Sequence, residues 1–444
     1  RSLDELKNLG AVAKQHFLYE GITFNVYGDQ EGTERTIPFD LIPRVIEKKQ
    51  WEKIASGCAQ RVKALNYFLD DIYHGQDILK EQIIPEEQIM GNDAFQPHML
   101  KHSLKGKIYS QISGIDIIRD GEGEFFVLED NLRTPSGVSY MIESRNISQK
   151  LMPELCTANN LQGIEHYPKL LKEILQENSS ADQPFIVVLT PGRFNSAYYE
   201  HAFLAREMDV PLVTNRDLFV ENDQVFVKTI RGRQKVDVIY RRLDDDFLDP
   251  LAFRPDSALG VAGLMSAYLQ KNVVIANAPG TGVAYDKSIY PYVDQMIQYY
   301  LDETPILKNV PTYQCRKEEH LDYVLSNLDQ LVVKEAQGSG GYGMLIGPKA
   351  SSCEIDEFRK KLIAMPHMYI AQPTLALSVA PTLTTGGVAE RHIDLRPFVL
   401  SSPYRTEIVP GGLTRVAMQA GSLVVNSSQG GGIKDTWVVE TLHS

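Results

Sequence analysis

The sequence predicts an α+β fold that carries a distinct βαβ unit, and three observations predict it. A stretch of helical periodicity is followed by a strand hairpin, alternating strands and helices fill the middle, and two apolar runs enclosing a glycine-rich loop open the last third. At 444 residues the chain exceeds one simple core and implies two or three packed units. With 43% hydrophobic and 23% charged residues, its composition is that of a globular protein rather than a disordered one.

Trp51, Ile54, Cys58, Val62, Leu65, Leu69 and Ile72 recur at helical spacing between Pro43 and Pro85, which predicts one long helix or a kinked pair over 43–82. From 108 to 131 the pattern changes to strand. Ile115-Asp116-Ile117-Ile118 and Phe125-Phe126-Val127-Leu128-Glu129 flank Asp120-Gly121-Glu122-Gly123 as a hairpin. The polar stretch 176–184 predicts a boundary. Beyond it, the strand Phe185–Leu189, a helix over 196–208 and the strands at 211–214, 236–240 and 272–275 form the βαβ pattern, without the GxGxxG of a nicotinamide site. A second boundary falls near Pro279-Gly280-Thr281-Gly282, followed by a helix from about Lys287 to Leu301. Leu331-Val332-Val333-Lys334 and Met344-Leu345-Ile346 then read as two strands joined by a flap.

The net charge of −12 argues against nucleic-acid binding and is compatible with a cationic substrate. Cys58, Cys156, Cys315 and Cys353 form no metal-ligand cluster; the expectation is buried, reduced thiols and a cytoplasmic protein. No membrane span or secretory segment is expected. The first residue is Arg1 rather than Met, which leaves room for a short preceding segment.

Four glycines fall within 338–343, after Lys334. Such a loop can turn backbone N–H groups toward phosphate oxygens while the lysine supplies a full charge, although a plain hairpin turn is the competing reading. No Walker sequence follows. In the early hairpin, Glu129 and Asn131 share a strand face, and a two-residue turn would set Asp116 opposite Val127 and diagonal to Glu129 on that face. A one-residue slip would reverse this. Two carboxylates and an amide suit a Mg²⁺ ion that shares its shell with phosphates; a solvated strand end is the alternative. Arg241-Arg242 and Asp244-Asp245-Asp246 read either as substrate anchors or as a charged loop, and no HExxH or GxSxG supports a hydrolase.

Taken together these residues resemble the ATP-grasp superfamily with its motifs in rotated order. Asp116, Glu129 and Asn131 come first, then the βαβ unit, Asp286-Lys287, Lys334 with its flap, the hinge Tyr369-Ile370-Ala371-Gln372, Asp394-Leu395-Arg396-Pro397-Phe398, and Asn426 with Gly430–Gly432. The chain is similar to circularly permuted ATP-grasp proteins related to glutathionylspermidine synthase, including at Pro38–Arg44, 278–282 and Lys434-Asp435-Thr436-Trp437. The resemblance implies a permuted C-terminal part of the ATP-grasp domain over 1–175, a pre-ATP-grasp domain over 184–280, the lysine, flap and hinge over 281–375, and the remaining subdomain over 376–444. It implies that ATP is held by Lys287, Lys334, Ser339, Gly340, Gly341 and Gln372. Mg²⁺, counted as two ions, would be held by Asp116, Glu129 and Asn131. Arg133, Arg396 and Asn426 would stabilise the transferred phosphoryl group. Pro373 departs from the family pattern, leaving no acidic residue at the hinge for the ribose. The activity implied is a carboxylate–amine ligase joining a small-molecule or peptide carboxylate to an amine. The alternatives are an ATP-binding regulatory or scaffold protein without turnover, and a phosphotransferase that stops at the phosphorylated product.

Overall fold

The computed structural model describes residues 2–25, 34–338, 343–375, 377–425 and 430–440. Its centre is a ten-stranded sheet. Along the sheet the order is Lys308–Asn309, Phe125–Asn131, Ile112–Arg119, Gly387–Arg396, Leu413–Val416, Gly432–Val439 and Phe39–Glu47. Strands from the first third of the sequence therefore sit beside strands from the last, with Leu395 opposite Ile117. On one face, Trp51, Ile54, Cys58 and Val62 of the helix Lys48–Tyr73 bury Ile115, Ile117, Val127, Leu395 and Val399. Each such side chain contributes about 1.5–3 kcal/mol of transfer free energy, so this helix fixes the hairpin against the C-terminal strands. On part of the opposite face, helices Val138–Leu151 and Tyr167–Asn178 pack on Phe398, Leu400, Leu413 and Ile433. The rest of that face carries the charged residues described below.

The βαβ pattern folds as a parallel sheet ordered Val274–Ala276, Val238–Arg241, Ile186–Leu189, Leu212–Val213, with helix Tyr198–Glu207 in the crossover. Beside it is an antiparallel meander (Leu218–Glu221, Gln224–Thr229, Gly232–Lys235) that the apolar patterning had not indicated. The lysine strand Leu331–Glu335 lies between Leu345–Ile346 and the hinge strand Tyr369–Pro373, both antiparallel to it, with Tyr313–Gln314 at the edge. The two-strand reading of 331–346 thus holds.

Several sequence expectations are corrected. Residues 43–47, expected to open the helix, belong instead to the strand Phe39–Glu47, and Pro43 falls where the register jumps from Asp40↔Lys434 to Arg44↔Thr436. An edge-strand bulge tolerates the missing N–H. The helix expected from Lys287 begins only at Val293, after a 3₁₀ turn at Tyr290–Tyr292 that contains Pro291. Cys353 is exposed, whereas Cys58, Cys156 and Cys315 are buried. One apolar cluster runs from Leu65, Phe68 and Ile72 through Leu189 and Ile239 to Val293 and Met296, so the units expected on either side of 176–184 and 279–282 share a core. Among the described residues, no helix is long and apolar enough to cross a membrane.

Candidate functional site

The hairpin brings the acidic residues together through a bulge. Its turn runs from Asp120 to Glu124, closed by the Asp120 N–H donating to the Glu124 carbonyl at 3.0 Å, and its register shifts between Asp116 and Ile117. Asp116 therefore stands opposite Glu129, and Gly114 opposite Asn131. The expected partner of Asp116 was Val127, two residues away, and a shift of two preserves the face. The bulge at Leu128 also lets Leu128 and Glu129 line one cavity, while Val127 and Asp130 turn to the other side. Asp130 is held there by Arg61, at 2.6 and 2.7 Å.

The neighbouring strands supply cations. Arg396 clamps Asp116 with both arms, at 2.5 and 2.8 Å, and its third nitrogen donates to the Ser136 carbonyl at 3.1 Å. Arg415 donates to the same Asp116 at 2.8 Å and to Asp394, its cross-strand partner, at 2.9 and 3.1 Å. Burial by itself would raise the Asp116 carboxyl, but Arg396 and then Arg415 outweigh it and hold the group at about 2. Asp394 is raised, chiefly by burial, although Arg415 opposes the shift. The pair thus divides its affinity for protons between one strongly ionised carboxylate and one weaker acid.

Two lysines close the site, Lys334 from the strand Leu331–Glu335 of the other sheet and Lys287 from the turn after Gly282–Tyr285. Lys287 pairs with Glu129 at 2.7 Å and donates to the Gly338 carbonyl, and its N–H donates to the Ala336 carbonyl at 2.9 Å. Lys334 donates to Gln372 Oε1 at 2.8 Å, and Gln372 in turn donates to Thr312 Oγ1 at 2.9 Å. Burial, together with the nearby Lys287 charge and against the pull of Glu129, lowers Lys334 to about 8.

These groups line a cavity of about 160 Å³ with two unlike ends. Val332, Ile346, Met344, Pro373, Leu375, Leu377, Ile118 and Leu128 form an apolar slot beside the hinge. Asp116, Glu129, Asp394, Lys287, Lys334 and Arg415 form the charged end. A planar base and a polyphosphate are complementary to the two ends respectively. For a divalent cation, Asp116 and Glu129 offer hard oxygens, and Asn131 has a buried Nδ2 without a partner among the described residues, a donor suited to a phosphate or water oxygen rather than to the ion itself. Among the described residues no group of three or more His, Cys, Asp or Glu could hold a metal by itself. The donor set fits an ion that takes the rest of its shell from phosphates and water, not a cage made of protein alone.

A second cavity, of about 340 Å³, lies at the C-terminal ends of the adjacent parallel strands Ile186–Leu189 and Val238–Arg241. Thr134, Ser136, Asn195, Arg242 and Asp244 are among its lining. Arg242 donates to the Pro135 carbonyl at 2.9 Å, Ser136 Oγ at 2.5 Å and Glu200 at 3.2 Å, while its buried Nε has no partner. Arg133 pairs with Asp244 at 3.2 Å. Between the two cavities stands Tyr285, with Arg133 5.3 Å and Lys287 5.2 Å from its ring centroid.

Of the residues singled out from sequence, Asp116, Glu129, Lys287, Lys334 and Gln372 meet in the first cavity, and Arg396 abuts it through Asp116. The Gln372 side chain serves Lys334 rather than facing a ligand freely. Arg133 belongs beside the second cavity, and Asn131 is on the expected face without lining the first. Ser339, Gly340, Gly341 and Asn426 lie outside the described residues. Arg241 is fully buried and donates to the Asn277, Leu243 and Ala278 carbonyls, and Asp245 accepts the Gly280 N–H at 2.7 Å, so both are structural. Asp394 and Arg415 were missed as site residues; Arg415 is the single charge in the buried strand Leu413–Val416, whereas Asp394 stands in a strand that also carries Glu390, Arg391 and Arg396 and so has no such local signal.

A model of the family "Circularly permuted ATP-grasp type 2" matches residues 43–417. The chain is 51% identical to an uncharacterized protein of Synechocystis over 95% of its length and 88% of that protein's. It is 46% identical to an uncharacterized protein of Mycobacterium tuberculosis, over 98% of this chain and 79% of the other. A Frankia alni protein named "Putative glutamate--cysteine ligase 2-3" is 41% identical over 94% of this chain, which spans 48% of it. Among solved structures, a glutathione synthetase-like effector of Globodera pallida shares the fold, with a TM-score of 0.60 over 99% of this chain and 98% of the other at 11% identity. The chain belongs to the circularly permuted ATP-grasp family, type 2.

Proposed function

From that membership we propose that the protein is an ADP-forming carboxylate–amine ligase. The observation that carries the proposal is the single cavity in which Lys287, Lys334, Arg415 and four carboxylates, Asp116, Glu129, Glu335 and Asp394, face an apolar slot. In this reading ATP lies with its base against Val332, Ile346 and Pro373 and its phosphates between the two lysines. Glu129, with Asp116 and Asn131, would hold Mg²⁺, which would supply neutralisation of the phosphate charge. Glu335 has no ion pair among the described residues and lines the same cavity, which makes it the candidate for the ribose hydroxyls.

The acid and the amine enter through the second cavity, where Arg242, Ser136 and Arg133 can hold a carboxylate. An oxygen of the acid attacks the γ-phosphorus, the bond to the ADP oxygen breaks, and an acyl phosphate results. The amine nitrogen then attacks the acyl carbon, phosphate departs and the nitrogen loses a proton. Arg396, fixed by Asp116, and Arg133, beside Tyr285, stand on the sides from which the transferred phosphoryl group can be stabilised. By the family pattern Ser339, Gly340 and Gly341 are assigned to covering the ATP phosphates, and Asn426 to stabilising the transferred phosphoryl group. We take a glutamate-type carboxylate as the first acid to test, because the Frankia relative, 48% of which this chain spans, carries a glutamate–cysteine ligase name.

A second reading, an ATP-binding protein without turnover, is favoured by one observation: both oxygens of Asp116 are engaged by arginines. Incubation with ATP, Mg²⁺, hydroxylamine and a panel of carboxylates discriminates between the two. Hydroxamate together with ADP supports the ligase, and ATP binding with neither product supports the second reading.

A further inference from the structure

A third cavity, of about 280 Å³, lies at the opposite end of the parallel sheet from the acceptor cavity. It is bounded by the loop around His102 and Lys105, the linker at Asn178, and the amino ends of the middle strands at Lys235, Asp237 and Lys271. Three separate segments of the chain thus converge on one hollow, the kind of seam where ligand sites are commonly found. Its floor is polar. His102 is only 8% exposed, lines the hollow, and its imidazole has no hydrogen-bond partner among the described residues. Burial first, then the charges of Lys271 and His74, lower its pKa to about 4, so the ring is neutral and offers one donor and one acceptor.

The rim is cationic. Lys105 donates to the Glu177 and Ser179 carbonyls at 2.9 and 2.7 Å, which fixes its ammonium at the mouth without neutralising it. Lys235 is balanced by Asp237 at 2.9 Å. Lys271 has no ion-pair partner among the described residues. Two uncompensated ammonium groups above a buried, unpartnered imidazole select for negative charge combined with hydrogen-bonding capacity.

We propose that this cavity is a second ligand site, separate from the nucleotide and acceptor cavities, for a small organic anion bearing a carboxylate or phosphate group. Because the ligand would touch the linker and the middle strands together, its binding stabilises the seam between them by mass action. The site does not depend on the ligase reading, since its test is direct binding.

The test is calorimetric titration of the full chain with inorganic phosphate, citrate and glucose 6-phosphate, in the unaltered protein and in Lys271→Ala, Lys105→Ala, His102→Gln and Lys334→Ala variants. At least one of the three should bind, with about tenfold weaker affinity in the Lys271→Ala and His102→Gln proteins, the effect of one lost charge-assisted or buried hydrogen bond. Lys334→Ala should leave it unchanged. The proposal is overturned if none of the anions binds, or if binding is lost only in Lys334→Ala, which would place it in the nucleotide cavity. It is equally overturned if the lysine changes weaken binding while a folded His102→Gln protein does not, which would leave only a diffuse cationic rim. Lys271 is exposed, so its variant tests the site even if the His102 change impairs folding.

Discussion

Two buried arginine–carboxylate networks in this chain differ in what they hold. In one, Arg396 and Arg415 grip Asp116 and Asp394, and three of these four groups line the first cavity. In the other, Glu200 accepts the Gly137 N–H at 2.7 Å, the Ser139 N–H at 3.1 Å and the Ser139 hydroxyl at 3.0 Å, while Arg242 donates to the same loop at Pro135 and Ser136. The second network spends most of its hydrogen bonds on the backbone and serines of one loop, 135–139. The first spends its own on strand-borne side chains and leaves charge at a surface a ligand can reach. Burying ion pairs is costly against a well-packed apolar alternative, so each network points to a geometry that must be kept: a loop in one case, a charged wall in the other. Arg396 joins them, since it also donates to the Ser136 carbonyl.

The comparison breaks most completely when one network loses its strands. A fragment of residues 281–444 keeps Asp394, Arg396 and Arg415 but lacks Asp116 and the hairpin strand that pairs with 387–396. It should show no cooperative thermal transition and no ATPase activity. A stable, ATP-hydrolysing fragment would refute the rotated-order architecture.

Next in size is Glu200→Ala, which leaves Arg242 buried beside unpaired backbone donors and should cost about 3–5 kcal/mol in urea unfolding. A loss below about 1 kcal/mol would show that the loop does not depend on this network. Glu129→Ala should do the reverse. Its carboxylate is 22% exposed and pairs with one lysine, so stability should fall by about 1 kcal/mol or less while ADP release disappears. Unchanged ADP release in that protein would remove Glu129 from the metal site. Lys287→Met and Lys334→Met should each weaken ATP by roughly tenfold to a hundredfold and AMP much less, as read by fluorescence competition. Equal losses for the two nucleotides would place both lysines away from the outer phosphates.

Much of this arrangement was legible in the sequence, and the exceptions share a cause. The hairpin, the lysine strand and the parallel strands announce themselves through local periodicity. Asp116 could be set on the face of Glu129 because strand period is 2 and the error in register happened to be even. Arg415 could not be found in this way. Its meaning comes from Asp394 across the sheet and from Asp116, 299 positions away in sequence, and no local pattern encodes a contact of that range. Residues 43–47 were misread for a related reason: a proline in an apolar run suggests a helix start unless the partner strand is known, and that partner is Gly432–Val439 at the other end of the chain. Arg241 and Arg242 looked alike as neighbours, yet one ties down carbonyls around 277 and the other the loop at 135–136.

The smallest effect concerns the protonation of Lys334 in the first cavity. Burial places this amine at about 8, below its ordinary 10.5. In the folded protein it therefore releases its proton between pH 8 and 10.5, where the unfolded chain still holds one. The unfolded state binds more protons there, so this group's contribution to stability rises with pH across that window and the charged form is the disfavoured one below it. Phosphate binding needs the opposite state. As pH climbs from 7.5 to 9, the ammonium fraction of the free protein falls, and ATP affinity should drop by up to roughly tenfold, the change expected of one group titrating near 8. Lys334→Arg, whose guanidinium stays charged throughout, should flatten that dependence even if it binds ATP more weakly overall. AMP, which lacks the outer phosphates, should show little of the slope in either protein. A pH profile for ATP that is the same in the lysine and arginine proteins would mean that the titrating group lies elsewhere, and that Lys334 holds Gln372 without meeting the nucleotide.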